Sequence, residues 1–156
     1  SGITLYEGLV LKDKKTYELI KDLSPDLIVI STFRQIVPHD IISIPKLGVI
    51  NVHPSLLPKY RGPTPIHWAL VNGEKETGIT IHFIEDEQVD AGRIIIQLKM
   101  NILPQDTEAT LRRRLAEFSE KALSEALLLV IKKDRITFLE QNETEATYYP
   151  KYTFSA

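Results

Sequence analysis

Apolar and polar residues alternate along much of this chain with the period of β-strands. Residues 26–31 and 46–53 are short runs rich in Val, Ile and Leu, which predicts strands buried on both faces of a parallel sheet. Residues 78–84 alternate between apolar and polar, residues 93–100 form a further predicted strand, and the two together predict a hairpin. Residues 135–139 can add one edge strand. The chain therefore has at least four segments that favour a sheet.

Between and after these strands the apolar residues recur every three or four positions, which is the period of an α-helix. This spacing predicts helices over about 13–23 and 107–133, the second a long amphipathic helix laid on the sheet. A shorter helix is predicted over 63–73, with Pro near its first turn and Gly at its end. Strands that alternate with helices in this order indicate an α/β fold.

The composition narrows the class of protein without identifying a function. The chain has 156 residues, 43% hydrophobic and 26% charged, which predicts one globular domain, assigned to 1–140, followed by a linker or tail at 141–156. Cysteine is absent, which excludes disulfides and thiolate metal sites. With no signal peptide or transmembrane run in the sequence, we expect a cytoplasmic protein without membrane contact. The net charge of −2 gives no general attraction to nucleic acid.

Two side chains with catalytic potential stand at the end of the second predicted strand. Asn51 and His53 are two residues apart, so their side chains point to the same face of the strand. In open α/β sheets the ligand crevice lies beyond the carboxyl ends of the strands. Pro54 and Pro58 end the strand and stiffen the loop that follows. Either polar residue alone is more often structural, but the pair before a rigid loop favours an active site.

An acidic turn over 85–92 supplies a possible third group. Asp90 precedes Ala91 and Gly92, a pattern typical of tight turns, and the turn could equally be a hydrophilic hairpin tip or a weak cation site. A carboxylate that faces a strand-end histidine raises the pKa of the imidazole and prepares it to donate to an oxyanion. We therefore treat Asp90 as a candidate partner of His53.

The remaining candidates receive simpler interpretations. His39, His67 and His82 are predicted to be ordinary surface, helix and strand residues, because their spacing matches no metal motif. Arg61 could bind a phosphate or carboxylate, or it could brace its own loop, and the sequence leaves both options open. No metal site is predicted.

Several of these motifs together resemble one family of enzymes. They are Asn51, His53, the string from Ser55 to Gly62, the segment from Asn72 to Thr80 and the segment from Val89 to Ile95. The chain resembles the folate-dependent formyltransferases from near residue 3 to near residue 151. The resemblance implies a Rossmann-like formyltransferase fold, with a mostly parallel sheet flanked by helices, a C-terminal β-hairpin and a long helix. It also implies transfer of a formyl group from 10-formyltetrahydrofolate to a primary amine.

The resemblance also assigns roles to individual residues. The family's catalytic residues correspond to Asn51, His53 and Asp90. The oxyanion would be held by the Asn51 amide and by a His53 that Asp90 keeps protonated, while Asp90 assists proton transfer to the leaving folate nitrogen. The residues implied in binding reduced folate belong to two segments: Phe33, Arg34, Gln35, Ile36 and Val37, followed by Glu85, Asp86 and Val89.

The resemblance leaves the acceptor and the state of the chain open. The tail favours methionyl-tRNA as the amine, with an amino sugar or glycinamide ribonucleotide as alternatives. Two alternatives to a transferase stay open: a catalytically silent binding subunit that kept the fold, and a formylfolate hydrolase with water as the acceptor. The family's opening strand-helix-strand portion does not precede this sequence, so we expect a fold truncated at the N-terminus. A missing segment or a partner chain would complete the sheet, because long exposed edges are ordinarily covered.

Overall fold

Four strands lie side by side in the computed structural model, which describes residues 2–132 and 138–153. They are β1 (Ile28–Ser31), β2 (Val49–His53), β3 (Glu76–Ile84) and β4 (Ile94–Asn101), in that spatial order. β1 pairs with β2 in parallel, whereas β2 with β3 and β3 with β4 are antiparallel. The α/β class and the hairpin are confirmed. Among the described residues the sheet is mixed, so the expectation of a mostly parallel sheet is wrong. The alternation of residues predicts that β3 is a strand, but it does not predict the direction in which β3 pairs with β2.

Three of the helices are those that apolar periodicity predicts: α1 (Lys14–Leu23), α3 (Pro65–Val71) and α4 (Glu108–Lys132). A one-turn helix α2 (His39–Ile42) and a 3-10 turn (Glu143–Glu145) are too short for periodicity to reveal, and the sequence does not predict them. Within the part of the chain that the structure describes, no helix is long and apolar enough to cross a membrane.

The core lies between α4 and one face of the sheet. The α4 residues that enter it recur at helical spacing: Leu111, Leu115, Ala122, Ala126 and Val130. They meet Ile50 and Val52 of β2 and Ile79 and Ile81 of β3. Each such aliphatic side chain stabilises the fold by about 1.5 to 3 kcal/mol when fully buried. Because alternate residues of β2 point to opposite faces, this packing fixes Asn51 and His53 on the face away from α4.

The end of the chain returns to the loop after β2. The Thr147 amide donates to the Pro58 carbonyl at 3.1 Å, and the Arg61 amide donates to the Thr147 carbonyl at 2.9 Å. The Trp68 indole nitrogen donates to the Pro150 carbonyl at 2.9 Å. Residues 141–150 are called the C-terminal strap below. This segment packs on the body of the protein, and the division into 1–140 and 141–156 stays a prediction.

The predicted edge strand over 135–139 falls largely outside the described residues. Of that segment, the structure describes Phe138 and Leu139. Leu139 forms an isolated antiparallel bridge with Ile94 at the start of β4. The chain therefore contacts the edge of β4 at Leu139, two residues before the strap begins.

Candidate active site

The structure brings the three predicted catalytic side chains together. Asn51 Nδ2 donates to Asp90 Oδ1 at 3.2 Å, and His53 Nδ1 lies 3.5 Å from Asp90 Oδ2. Asn51 and His53 reach Asp90 from one face of β2, as their two-residue spacing predicts. Asp90 belongs to the turn between β3 and β4, 37 to 39 positions later in the sequence. The chemistry of these residues stays a prediction, but their convergence is a feature of the fold.

Asp90 is held as an anion by donors on several sides. Its Oδ2 accepts from the Gly62 amide at 2.9 Å, and its side chain is only 12% exposed. Burial alone would raise the pKa of Asp90. The neighbouring side chains of His82 and His53 and the Gly62 amide outweigh that cost and lower the pKa of Asp90 to about 2. The carboxylate is therefore charged at neutral pH.

The pKa of His53 is shifted in the direction opposite to the one expected from Asp90 alone. Its Nε2 donates to the Tyr60 carbonyl at 2.8 Å, so the proton of the neutral ring sits on Nε2 and Nδ1 faces Asp90. Burial lowers the pKa of His53, and this effect outweighs the opposing influence of Asp90 and of the Tyr60 carbonyl. Burial therefore works against the expected protonation of the ring by Asp90, and that expectation stays a prediction. The carboxylate acts in the expected direction, but desolvation of a fully buried ring is larger.

His82 is a fourth member of the cluster that the sequence analysis did not identify. It lies opposite Asn51 in the register of β2 and β3 and is 1% exposed. Its Nε2 lies 3.2 Å from Asn51 Nδ2 and 3.4 Å from Asp90 Oδ1, while Nδ1 donates to the Phe83 carbonyl at 2.8 Å. His82 lies on β3, as predicted, and the structure adds it to the side chains around Asp90. The signal available in the sequence was the two-residue spacing of Thr80 and His82 in a predicted strand, whereas their pairing with His53 and Asn51 is seen only in the structure.

His39 and His67 have the surroundings that were expected of them. His39 is an exposed residue at the start of α2, and His67 lies on α3 with Nδ1 3.3 Å from Glu108 Oε2. Among the described residues, no group of three or more His, Asp or Glu side chains is arranged to hold a metal ion. The cluster around Asp90 is therefore considered as a set of proton donors and acceptors.

The loop after β2 is fixed to β3 by side-chain hydrogen bonds. Thr80 is fully buried, and its hydroxyl donates to the Ser55 carbonyl at 2.7 Å and accepts from the Leu57 amide at 3.2 Å. Gln97 on β4 donates to the Leu57 carbonyl at 2.9 Å. These bonds hold the loop that carries the Tyr60 carbonyl, and they therefore fix the orientation of the His53 ring.

The first segment implied in folate binding lies in the loop after β1. It comprises Phe33, Arg34, Gln35, Ile36 and Val37. Phe33 and Ile36 present apolar surface, at 45% and 50% exposure, whereas Val37 is buried. The Gln35 side chain bonds two backbone groups of the N-terminal segment 2–13, at 2.9 and 3.0 Å. The loop therefore offers exposed apolar side chains next to a braced amide.

The second segment lies in the acidic turn. Glu85 accepts from the Arg93 amide at 3.0 Å and from its guanidinium at 2.8 Å, and these bonds lower the pKa of Glu85 although partial burial opposes them. Asp86 accepts from the Gln88 amide at 2.7 Å, and Val89 is exposed. Binding of folate by either segment stays a prediction.

Arg61 braces the strap. Its guanidinium donates to Gln141 Oε1 at 2.8 and 3.2 Å, and to the two carboxylate oxygens of Glu143 at 2.9 and 2.6 Å. The sequence left open whether Arg61 binds a phosphate or carboxylate or braces its own loop. In the structure Arg61 binds a carboxylate of the chain itself, that of Glu143. Arg61 and Gln141 are buried, whereas Glu143 is exposed.

The sequence over residues 6–127 matches the family described as Formyl transferase, which is more than half of the chain. The chain therefore belongs to the formyl transferase family. It is 48% identical over 129 residues to the methionyl-tRNA formyltransferase of Pelotomaculum thermopropionicum, covering 83% of this chain and 41% of that protein. It is 43% identical over 153 residues to that of Dictyoglomus thermophilum, covering 97% and 48%. The chain thus spans less than half the length of these curated relatives.

A solved structure gives the same assignment for the fold. The formyltransferase PseJ from Anoxybacillus kamchatkensis, in complex with UDP-4,6-dideoxy-4-formamido-L-AltNAc and tetrahydrofolate, superimposes with a TM-score of 0.77. The two chains are 31% identical, and the match covers 94% of this chain and 73% of PseJ. The Rossmann-like formyltransferase fold expected from the sequence is confirmed.

Proposed function

We propose that this chain forms the catalytic part of a folate-dependent formyltransferase, which moves a formyl group from 10-formyltetrahydrofolate to the amino group of methionyl-tRNA. The observation that carries this proposal is the Asp90 carboxylate, 3.2 Å from the Asn51 amide and 3.5 Å from the His53 ring. An amide donor, a proton acceptor and a fixed anion are what acyl transfer to an amine requires.

The reaction uses these groups in two stages. The amine attacks the formyl carbon, a C–N bond forms, and the carbonyl electrons move to oxygen. The Asn51 amide donates to this oxyanion by turning one hydrogen away from His82 Nε2. His53, neutral at the start, accepts the proton of the attacking nitrogen at Nδ1, where the Asp90 carboxylate stabilises the new cation.

The second stage releases the products. The oxyanion reforms the carbonyl, the bond from carbon to the folate nitrogen breaks, and His53 returns its proton to that nitrogen. The products are the formamide and tetrahydrofolate, with no net gain or loss of protons by the protein. Asp90, whose pKa is lowered to about 2, is a poor base by itself, so its role is to stabilise the His53 cation.

Folate is the donor best supported by the surrounding surface and by relatives. Exposed Phe33, Ile36 and Val89 provide apolar surface for a flat heterocycle in the two implied segments. The PseJ structure was determined with tetrahydrofolate. We assign reduced folate to this chain on the same basis.

Methionyl-tRNA is the preferred acceptor because the two curated relatives described above carry that name. The PseJ structure favours an amino sugar instead, because its complex contains a formamido nucleotide sugar and its match covers 94% of this chain. Glycinamide ribonucleotide is a third acceptor for the same chemistry. A cytoplasmic location stays a prediction from the sequence.

One assay separates these proposals. The complete polypeptide is incubated with 10-formyltetrahydrofolate labelled in the formyl group, together with methionyl-tRNA, a UDP-linked 4-amino sugar or glycinamide ribonucleotide. We expect label in methionyl-tRNA, and Asp90→Asn should lower kcat by about 100-fold or more. Label only in the nucleotide sugar overturns the tRNA assignment. Labelled formate without an acceptor indicates a hydrolase. Failure to bind reduced folate indicates a silent subunit.

A further inference from the structure

One side chain of the C-terminal strap reaches the turn that carries Asp90. Gln141 Nε2 donates to the carbonyl oxygens of Asp90 and Gly92, at 2.8 Å in each case. Gln141 is buried, with 9% of its surface exposed. Both amide hydrogens are therefore committed to the backbone on either side of Ala91.

The oxygen of the same amide is bound on the opposite side of the site. It accepts from Arg61 Nε and Nη2 at 3.2 and 2.8 Å. Arg61 lies between Tyr60, whose carbonyl accepts from His53, and Gly62, whose amide donates to Asp90. This single amide therefore joins the two backbone segments that hold the His53 ring and the Asp90 carboxylate.

The turn at Asp90 has a conformation that needs support from outside. Asp90 has φ of 53°, a left-handed value that residues with side chains rarely adopt. A Cβ on Gly92 would lie 1.9 Å from the Phe83 carbonyl oxygen, so the turn sits tightly against β3. The two carbonyl groups of this partly buried turn accept hydrogen bonds from Gln141.

We propose that Gln141 is a positioning residue for formyl transfer, which holds Asp90 against Asn51 and His53 by tying the turn to Arg61. The inference rests on the proposed function for its chemistry and on the geometry of the strap for its mechanism. Gln141 acts through Asp90 and has no assigned contact with the reacting atoms. The strap is then a working part of the active site, although it lies more than 50 residues from Asp90 in the sequence.

The first test uses Gln141→Glu in the complete polypeptide. A glutamate keeps the size and the acceptor for Arg61, but it has no N–H groups for the two turn carbonyls. We expect kcat to fall by about 10- to 100-fold with KM for folate within about twofold, because a displaced proton-transfer group slows the chemistry more than binding. Glu145→Gln, an isosteric change at an exposed site of the same strap, should leave kcat within about twofold.

A second measurement does not depend on activity. In Gln141→Leu, NMR titration of the His53 ring should show a lower midpoint than in the unsubstituted protein, as in Asp90→Asn, because Asp90 raises the pKa of His53 and would now be displaced. The neighbouring His82, which acts in the opposite direction, is unchanged in all these proteins. The His53 signal is assigned by its loss in His53→Gln.

The outcomes are distinct. An unchanged His53 midpoint in folded Gln141→Leu, or an unchanged kcat in Gln141→Glu, overturns the positioning role. If Gln141→Leu does not fold, Gln141→Met, which is also neutral and also lacks the two N–H groups, replaces it in the titration. An unsubstituted protein that transfers no formyl group to any acceptor refutes the proposed function, and the ring titration then still decides whether Gln141 places Asp90.

Discussion

Substitution of Gly62 by alanine tests whether the strap and the site form one rigid unit. Gly62 has φ of 105°, and a Cβ built there would lie 2.3 Å from the Tyr149 carbonyl oxygen. A side chain at this φ costs about 1 to 3 kcal/mol. Because the obstacle is backbone, the strap must move, which puts at risk two hydrogen bonds worth about 1 kcal/mol each. These bonds are Tyr149 N–H to Arg61 O and Trp68 Nε1–H to Pro150 O.

We therefore expect Gly62→Ala to lower the free energy of unfolding by about 3 to 5 kcal/mol. Gly73→Ala is the matched control, because Gly73 also has positive φ, of 69°, but its Cβ would meet nothing within 4 Å. The control should lose only about 1 kcal/mol. Equilibrium urea unfolding followed by circular dichroism measures both. Gly62→Ala should also lower kcat, because the Gly62 amide is a donor to Asp90. Equal stability and activity of the two variants would refute the reasoning.

Three further predictions follow from the geometry of the cluster. Asn51→Ala should lower kcat by about 100-fold with little change in KM for folate, since it removes a donor to the oxyanion; steady-state kinetics that show a KM effect alone contradict this role. The rate should fall in acid with a midpoint below 6.5, because His53 acts from its neutral form and burial lowers its pKa; a measured midpoint above 6.5 is incompatible with that form. Asp90, with a folded pKa of about 2 against 3.8, should contribute about 2 kcal/mol of stability above pH 4 that disappears as the pH falls through 2. The stability of Asp90→Asn should lack this contribution in acid unfolding. Acid-unfolding curves of the same shape for the variant and the unsubstituted protein would exclude the contribution of Asp90.

Local sequence patterns were sufficient to predict features that depend on a single helix or strand. The two-residue spacing of Asn51 and His53 put both on one face of β2, and the helical period placed α4 over the core. The short helix α2 was not predicted, because four residues are too few to show the helical period of apolar residues. The direction of β3 was not predicted either. It depends on the path of the chain between β2 and β3, which the sequence does not reveal.

The charge state of His53 could not be inferred from its partner alone. The sequence suggests a carboxylate near the ring, and Asp90 is indeed there, but the sign of the shift depends on how deeply the ring is buried. The role of His82 depends in the same way on register, because only the pairing of β2 with β3 sets it opposite Asn51. Contacts of Arg61 with Gln141 join positions 80 apart, which no local pattern encodes.

The long separation between the strap and the loop it braces has a consequence for biosynthesis. During translation, Asn51, His53, His82 and Asp90 all emerge before Gln141 does. A nascent polypeptide that has left the ribosome as far as residue 140 holds every proposed reacting group, yet its acidic turn has no amide to anchor it. Competence for chemistry would then arise only once Gln141 has emerged and bound the acidic turn.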